Sequence, residues 1–225
     1  MLLYKFRALG DCVSLERVLE ILQQQELWCS KYWDMNDPME GIYLSYKDNS
    51  NVQELFHGKA RRAICSLSGE SALKNPLMWG YYANGFRGIA LRIEAELSKN
   101  LQPIAYSNGH IEISPSMDVN GCIDRVLLHK LKCWEHEAEW RFMIDANPGY
   151  QNIGKITGLY IGWPYPNASR YSDVHGRFKE REKYMTRVRE ARRCARQRHV
   201  DVYNVYMKDC KVQIDKWPPK CDALT

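Results

Sequence analysis

The stretch WEHEAEWRFM, residues 134–143, sets two glutamates two positions apart inside an aromatic segment. In a strand, alternate residues share a face. Glu137, Glu139 and Arg141 then point one way, and Ala138, Trp140, Phe142 and Ile144 point the other. That pattern predicts a half-buried strand with one apolar face and one face of charges. A surface strand can carry charges for solubility alone, so function depends on what other segments bring to this face.

Working outward, the same alternation recurs early in the chain. LLYKFRAL reads as a first strand with Lys5 and Arg7 on one face and Tyr4 and Phe6 on the other. SLERVLEILQQQ follows as an amphipathic helix, with Ser14 as N-cap and Leu15, Val18, Leu19 and Leu22 as its apolar stripe. ELWCSKYW is a second strand, closed by the turn-forming DMNDPMEG. RRAICSLSG is a third, in which Ile64, Ser66 and Ser68 share a face. NPLMWGYYANG predicts a short helix ending near Gly85, and RGIALRIE another strand. Residues 95–120 read as loop with a few extended positions. CIDRVLLHKLKCW has helical spacing, KITGLYIGW is a strand, and VDVYNVYM and KVQID close the chain as strands. Strands and helices mix without regular βαβ alternation, which predicts an α+β fold.

A chain of 225 residues suffices for one domain with a real core. No apolar run approaches the roughly 18 residues of a membrane span, and MLLYKFRALG has no cleavage-like region, so a cytoplasmic protein without membrane contact is expected. The eight cysteines are scattered without a C-x-x-C pair and read as reduced thiols. His129, Cys133 and His136 would share one face of a helix and are zinc-ligand types, but no fourth ligand or H-E-x-x-H accompanies them, and no metal is expected. P-loop and dinucleotide-fold glycine fingerprints are absent.

Charge is unevenly placed. Residues 177–199 hold ten Lys and Arg against three Glu, a net +7 in a chain whose total is +5. The segment GRFKEREKYMTRVREARRCARQRH predicts a helix with a narrow stripe of Phe178, Met185, Val188 and Ala195 and a mostly charged circumference. Such a helix is either a solvated face or a contact for phosphates, with Arg189, Arg192, Arg193 and Arg196 as the candidate nucleic-acid residues. An acidic protein such as an antitoxin or inhibitor is the competing partner.

LYKF, LWCSKYWDMNDPME, ICSLS, LMWGYYANGFRGIAL and EAEWRF together resemble the motifs of a widespread bacterial family of uncharacterised domains, over about residues 1–165. The layout of strand, helix, strand and late glutamate strand resembles the ADP-ribosyltransferase fold. The resemblance implies a mixed β-sheet core of two packed sheets with flanking helices, and the single domain expected over residues 1–225 also takes in the basic helix over about 177–199 and closing strands over about 200–215. It also implies NAD as substrate, a cation on the first strand, hydroxyls in the middle and a catalytic carboxylate late. Either Lys5 or Arg7 would hold the pyrophosphate, with Tyr4 beside them. Ser66 or Ser68 would position the ribose or the glutamate, and Trp79, Tyr82 or Tyr81 would stack on nicotinamide. Glu139 would meet the oxocarbenium-like charge that develops on the sugar, and Glu137 would orient or deprotonate the acceptor. The expected activity is toxin-like ADP-ribosyl transfer to a macromolecule, nucleic acid (RNA before DNA) ahead of protein, with a role in phage defence. A non-catalytic nucleic-acid-binding module on the same fold is the alternative. Two plainer readings stand beside these: Glu139 and Arg141 as a surface ion pair, and the WGYYANG aromatics as core.

Overall fold

The structure is a computed structural model that describes residues 1–45, 52–113, 118–164 and 177–217. In chain order, strand β1 (Leu2–Ala8) leads to helix α1 (Cys12–Gln24) and strand β2 (Leu27–Cys29). Strand β3 (Tyr43–Ser45), helix α2 (Val52–Arg61) and strand β4 (Arg62–Ser68) come next. Two short helices, α3 (Glu70–Leu73) and α4 (Pro76–Tyr81), precede strand β5 (Gly88–Glu94). The stretch expected as loop holds three short strands, β6 (Leu101–Pro103), β7 (Ala105–Ser107) and β8 (Ile111–Ile113). Helix α5 (Val119–Leu127), strand β9 (His129–Leu131) and strand β10 (Glu139–Asp145) follow. The last elements are strands β11 (Gly149–Gln151) and β12 (Lys155–Trp163), helix α6 (Arg177–Gln197), and strands β13 (Asp201–Lys208) and β14 (Lys211–Lys216). The chain is mixed α+β with a large mixed sheet and several helices. Among the described residues, no helix is long and apolar enough to cross a membrane.

The chain packs as two compact units, each assembled from separated stretches of sequence. The first joins residues 1–26, 70–95 and 154–225. Its strands run in the order β14-β13-β12-β5-β1. β1 with β5, β5 with β12 and β13 with β14 pair antiparallel, whereas β12 and β13 are parallel. A parallel neighbour cannot be reached by a tight hairpin, and the basic helix α6 lies on the crossover between β12 and β13. Helix α1 starts at Asp11, not at Ser14. Asp11 accepts the Ser14 amide proton at 2.7 Å and Ser14 Oγ accepts that of Asp11 at 3.0 Å, so Ser14 completes a capping box from inside the helix.

Helix α6 is anchored by a residue outside the expected stripe. Tyr184 is fully buried, and its hydroxyl donates to the Gly162 carbonyl of β12 at 2.6 Å. Val188, Ala191, Cys194 and Ala195 continue the buried row at helical spacing. Val188 and Ala195 were in the expected stripe; Met185 is only half-buried. The Phe178 side chain lies outside the described residues.

The second unit joins residues 27–69 and 96–153. β10 lies between β4 and β6, antiparallel to both. β2 with β11, β3 with β8 and β7 with β9 form two-stranded pairs. The core gathers Leu55 of α2, Ile64 of β4, Ile111 and Ile113 of β8, Ile123, Val126 and Leu127 of α5, and Met143 of β10. α2 crosses α5 at Gly58, where an added Cβ would collide with the Ile123 side chain. A larger residue there would need the tip of the Ile123 side chain to shift, and glycine avoids this at its helix-propensity cost.

Candidate functional site: a buried charge cluster on β10

The charged face of β10 is its buried face. Glu139 and Arg141 are 3 % and 0 % exposed, and Met143 continues the row at 4 %. Trp140, Phe142 and Ile144, on the opposite face, are half-buried. The strand expected over 137–144 begins at Glu139. Glu137 instead ends a 3-10 turn over Lys132–Glu137, and Ala138 follows in the left-handed region at φ 44°. That left-handed residue breaks the alternation, so strand spacing does not relate Glu137 to Glu139.

A lysine brings the two carboxylates together. Lys130 Nζ lies 2.6 Å from Glu137 Oε2 and 2.7 Å from Glu139 Oε2, with all three residues buried. Lys130 is placed by β9, which pairs in parallel with β7 so that Lys130 stands beside Tyr106. The Tyr106 hydroxyl accepts the Glu139 amide proton at 2.8 Å.

Arg141 fixes the other side of Glu139. Its Nε donates to Glu139 Oε1 at 2.8 Å, and Nη1 and Nη2 donate to the two oxygens of Glu40 at 2.5 and 2.7 Å. Nη1 also donates to the Leu127 carbonyl, and Nη2 to Glu139 Oε2 at 3.4 Å. Glu40 belongs to the turn NDPME, where the Asp37 carboxylate accepts the Met39 amide proton. This turn delivers a third buried carboxylate, Glu40, to the cluster.

Burial works against each of these charges, and pairing decides the outcome. For Glu139 burial is overcome by Arg141 and Lys130, which together bring the carboxyl down to about 2. Burial likewise disfavours the charged Arg141 and Lys130, and the neighbouring glutamates hold both more firmly protonated than in water. At Glu40 burial prevails and raises the carboxyl, with the Arg141 fork offsetting it only in part. The Glu139–Arg141 pair is therefore interior, not the surface pair that the strand pattern allowed.

The serines meet this cluster through register. Across antiparallel β4 and β10, Ser68 stands opposite Glu139 and Ser66 opposite Arg141. Directly opposed residues put their side chains on one face. Ser66 Oγ donates to Met35 Sδ at 3.6 Å, and Ser68 is 6 % exposed. Ser68, Ser66, Glu137, Glu139 and Glu40 thus lie in one unit, with Lys130 and Tyr106 as cluster members that sequence spacing did not mark.

The remaining candidates lie in the first unit. Lys5 and Arg7 are half-buried on β1, opposite Leu91 and Ile89 of β5. Tyr4 is 2 % exposed, with its ring edge-on to Tyr160 at 5.7 Å, and burial raises its hydroxyl. Trp79 is fully buried and donates to the Leu73 carbonyl at 2.8 Å. Its ring meets Phe6 edge-on at 5.3 Å and stacks on Phe86 at 5.5 Å. These contacts make Trp79 a core aromatic. Tyr82 is half-buried and Tyr81 exposed.

His129, Cys133 and His136 do not share a helix face, because α5 ends at Leu127 and His129 belongs to β9. His129 Nε2 lies 2.7 Å from Ser107 Oγ, and His136 Nδ1 lies 3.0 Å from the Cys133 carbonyl. Among the described residues, no group of three metal-ligating side chains is assembled. On α6, Arg189 and Arg193 are exposed, and Arg196 is half-buried. Arg192 is packed against Trp217, 3.6 Å from the ring centre, and donates to Asn204 Oδ1 at 2.7 Å. Its burial lowers the guanidinium to about 10.

No family model, curated protein or solved structure matches this chain.

Proposed function

We propose that the chain is an NAD-dependent ADP-ribosyltransferase whose reacting carboxylates are Glu139 and Glu137. The observation that carries this reading is the convergence of two glutamates on one ammonium, Lys130, with Glu139 held ionised beside it. Cleavage of the bond between nicotinamide and ribose sends the electron pair to the nicotinamide nitrogen and leaves positive charge on the sugar. A carboxylate that accepts a hydrogen bond from a ribose hydroxyl stabilises that charge more in the transition state than in the ground state. Glu139 has this role. The ribose hydroxyl takes the donor position at Glu139 Oε2 that Lys130 occupies, since Arg141 is fixed by Glu40 and the Leu127 carbonyl. Glu137, on the same ammonium, receives the proton of the acceptor nucleophile. The acceptor is a macromolecule, with nucleic acid favoured by the basic α6, and a toxin-like role in phage defence under the control of a partner protein follows from the family resemblance.

A second reading has its own observation. Arg141 is fully enclosed, and its three guanidinium nitrogens all donate within the protein. A buried network of this kind can serve to specify one packing, which favours a non-catalytic nucleic-acid-binding module. Incubating the purified chain with NAD labelled in the adenylate, together with cellular RNA, DNA and protein, separates the two. Label carried onto one polymer is expected. No label on any polymer would leave the non-catalytic reading.

A further inference from the structure

The arginines of α6 divide into two groups by what they touch. Arg187 Nε donates to the Leu9 carbonyl at 2.8 Å, and Arg192 is held by Asn204 and Trp217. Each of these two gives one guanidinium donor to a partner inside the first unit. Arg189 and Arg193, one turn apart, stand on the face opposite the buried row of Tyr184, Val188, Ala191 and Ala195. Among the described residues, no carboxylate is in ion-pair contact with either. Arg196 follows three positions on, along the same row.

This arrangement is unfavourable for the helix itself. Like charges at i, i+4 repel. The helix dipole favours cations only within the last turn, which covers Arg196 and not Arg189 or Arg193. Helix stability therefore gives no reason for the pair. The first half of α6 shows the usual remedy, with Glu180 and Glu182 among its cations and Lys183 bridged to Glu180 at 3.3 Å. From Arg187 to Gln197, Glu190 stands alone against five arginines and no lysine.

The face also lacks what a protein partner needs. The exposed positions of α6 are Lys179, Glu180, Glu182, Lys183, Thr186, Arg189, Arg193 and Gln197, none of them apolar or aromatic. A stable protein interface is centred on buried apolar or aromatic anchors. A phosphate backbone asks only for regularly spaced donors, and the arginine fork suits phosphate oxygens. Residues four apart rise roughly 6 Å along a helix, a short repeat of the kind a phosphate chain presents.

We propose that the outer face of the C-terminal half of α6 docks the phosphate backbone of a nucleic acid, through Arg189 and Arg193. The inference stands on α6 alone and holds whether or not Glu139 transfers ADP-ribose. The test uses the full chain with a fluorescein-labelled oligouridylate and a mixed-sequence duplex, titrated by anisotropy across roughly 50–200 mM salt. Removing two phosphate contacts in R189Q/R193Q should flatten the log–log salt slope by about 1.4 for the single strand or about 1.8 for the duplex. The charge-matched K179Q/K183Q should change the slope less. All variants should match the wild-type circular dichroism and Tm, since the four side chains are exposed. An unchanged slope in R189Q/R193Q would overturn the proposal, as would an equal change in K179Q/K183Q. Competition by polyglutamate as strong as by oligouridylate would assign the face to acidic protein instead.

Discussion

Lys130 Nζ lies 2.7 Å from Glu139 Oε2 with both side chains buried, and the same ammonium lies 2.6 Å from Glu137. Removing it leaves two buried carboxylates side by side. Lys130→Met should cost about 3–5 kcal/mol, the range for a buried pair broken from one side. Urea unfolding at neutral pH measures this. A loss below 1 kcal/mol, on the order of a surface pair, would show that Lys130 is not held as described.

Glu139 itself makes acid stability a second test. Its folded carboxyl lies near 2, below its ordinary value of 4.5, so the folded state binds this proton less readily than the unfolded chain. Its contribution is fully present above about pH 4.5 and is lost as pH falls toward 2. Glu40, raised by burial, has the opposite sign and loses stability as pH rises above its ordinary range. The slope of unfolding free energy against pH should therefore be shallower below pH 4.5 in Glu139→Gln than in the wild type. Identical slopes would contradict the ionised, paired carboxylate.

Tyr184 tests the seating of α6. Tyr184→Phe removes the donor to the Gly162 carbonyl and leaves the ring in place. The expected loss is about 1 kcal/mol, a typical net hydrogen bond, or more if the carbonyl stays buried without a donor. Thermal melts read it directly. An unchanged Tm would mean that packing of the helix row alone seats α6.

The first-strand cation is a question of which residue. If Lys5 or Arg7 grips a pyrophosphate, alanine at the true contact should weaken NAD binding by about ten- to a hundred-fold, the cost of a charge-assisted hydrogen bond of about 1.5–3 kcal/mol. Titrating each single variant with NAD identifies it. Wild-type affinity in the double variant would remove the cation role.

The long strands were legible because alternation and burial agree locally. Strand patterns place β1, β4, β5 and β12 close to their observed ends, and the charge run marks α6. The failures have physical causes. Helical spacing continued past Leu127, yet His129–Leu131 is drawn into pairing with β7, a partner that periodicity cannot see. Glu137 and Glu139 were linked by strand spacing, whereas the link is Lys130, eight residues before the left-handed backbone at Ala138. The charge pattern of β10 left open a plain surface ion pair, whereas pairing with Lys130 and Glu40 holds the charged row inside. Tyr184 was hidden because its burial depends on a carbonyl of β12.

Release of nicotinamide from NAD, compared between the wild-type chain and Glu139→Gln, tests the central proposal most directly. The amide keeps the shape of the side chain and its hydrogen-bonding reach but lacks the charge that meets the sugar cation. The wild type should release nicotinamide, and a Gln variant with the wild-type circular dichroism should lose that release. Equal release by the folded variant, or none from the wild type under any acceptor condition, would contradict the assignment of Glu139 as the reacting carboxylate.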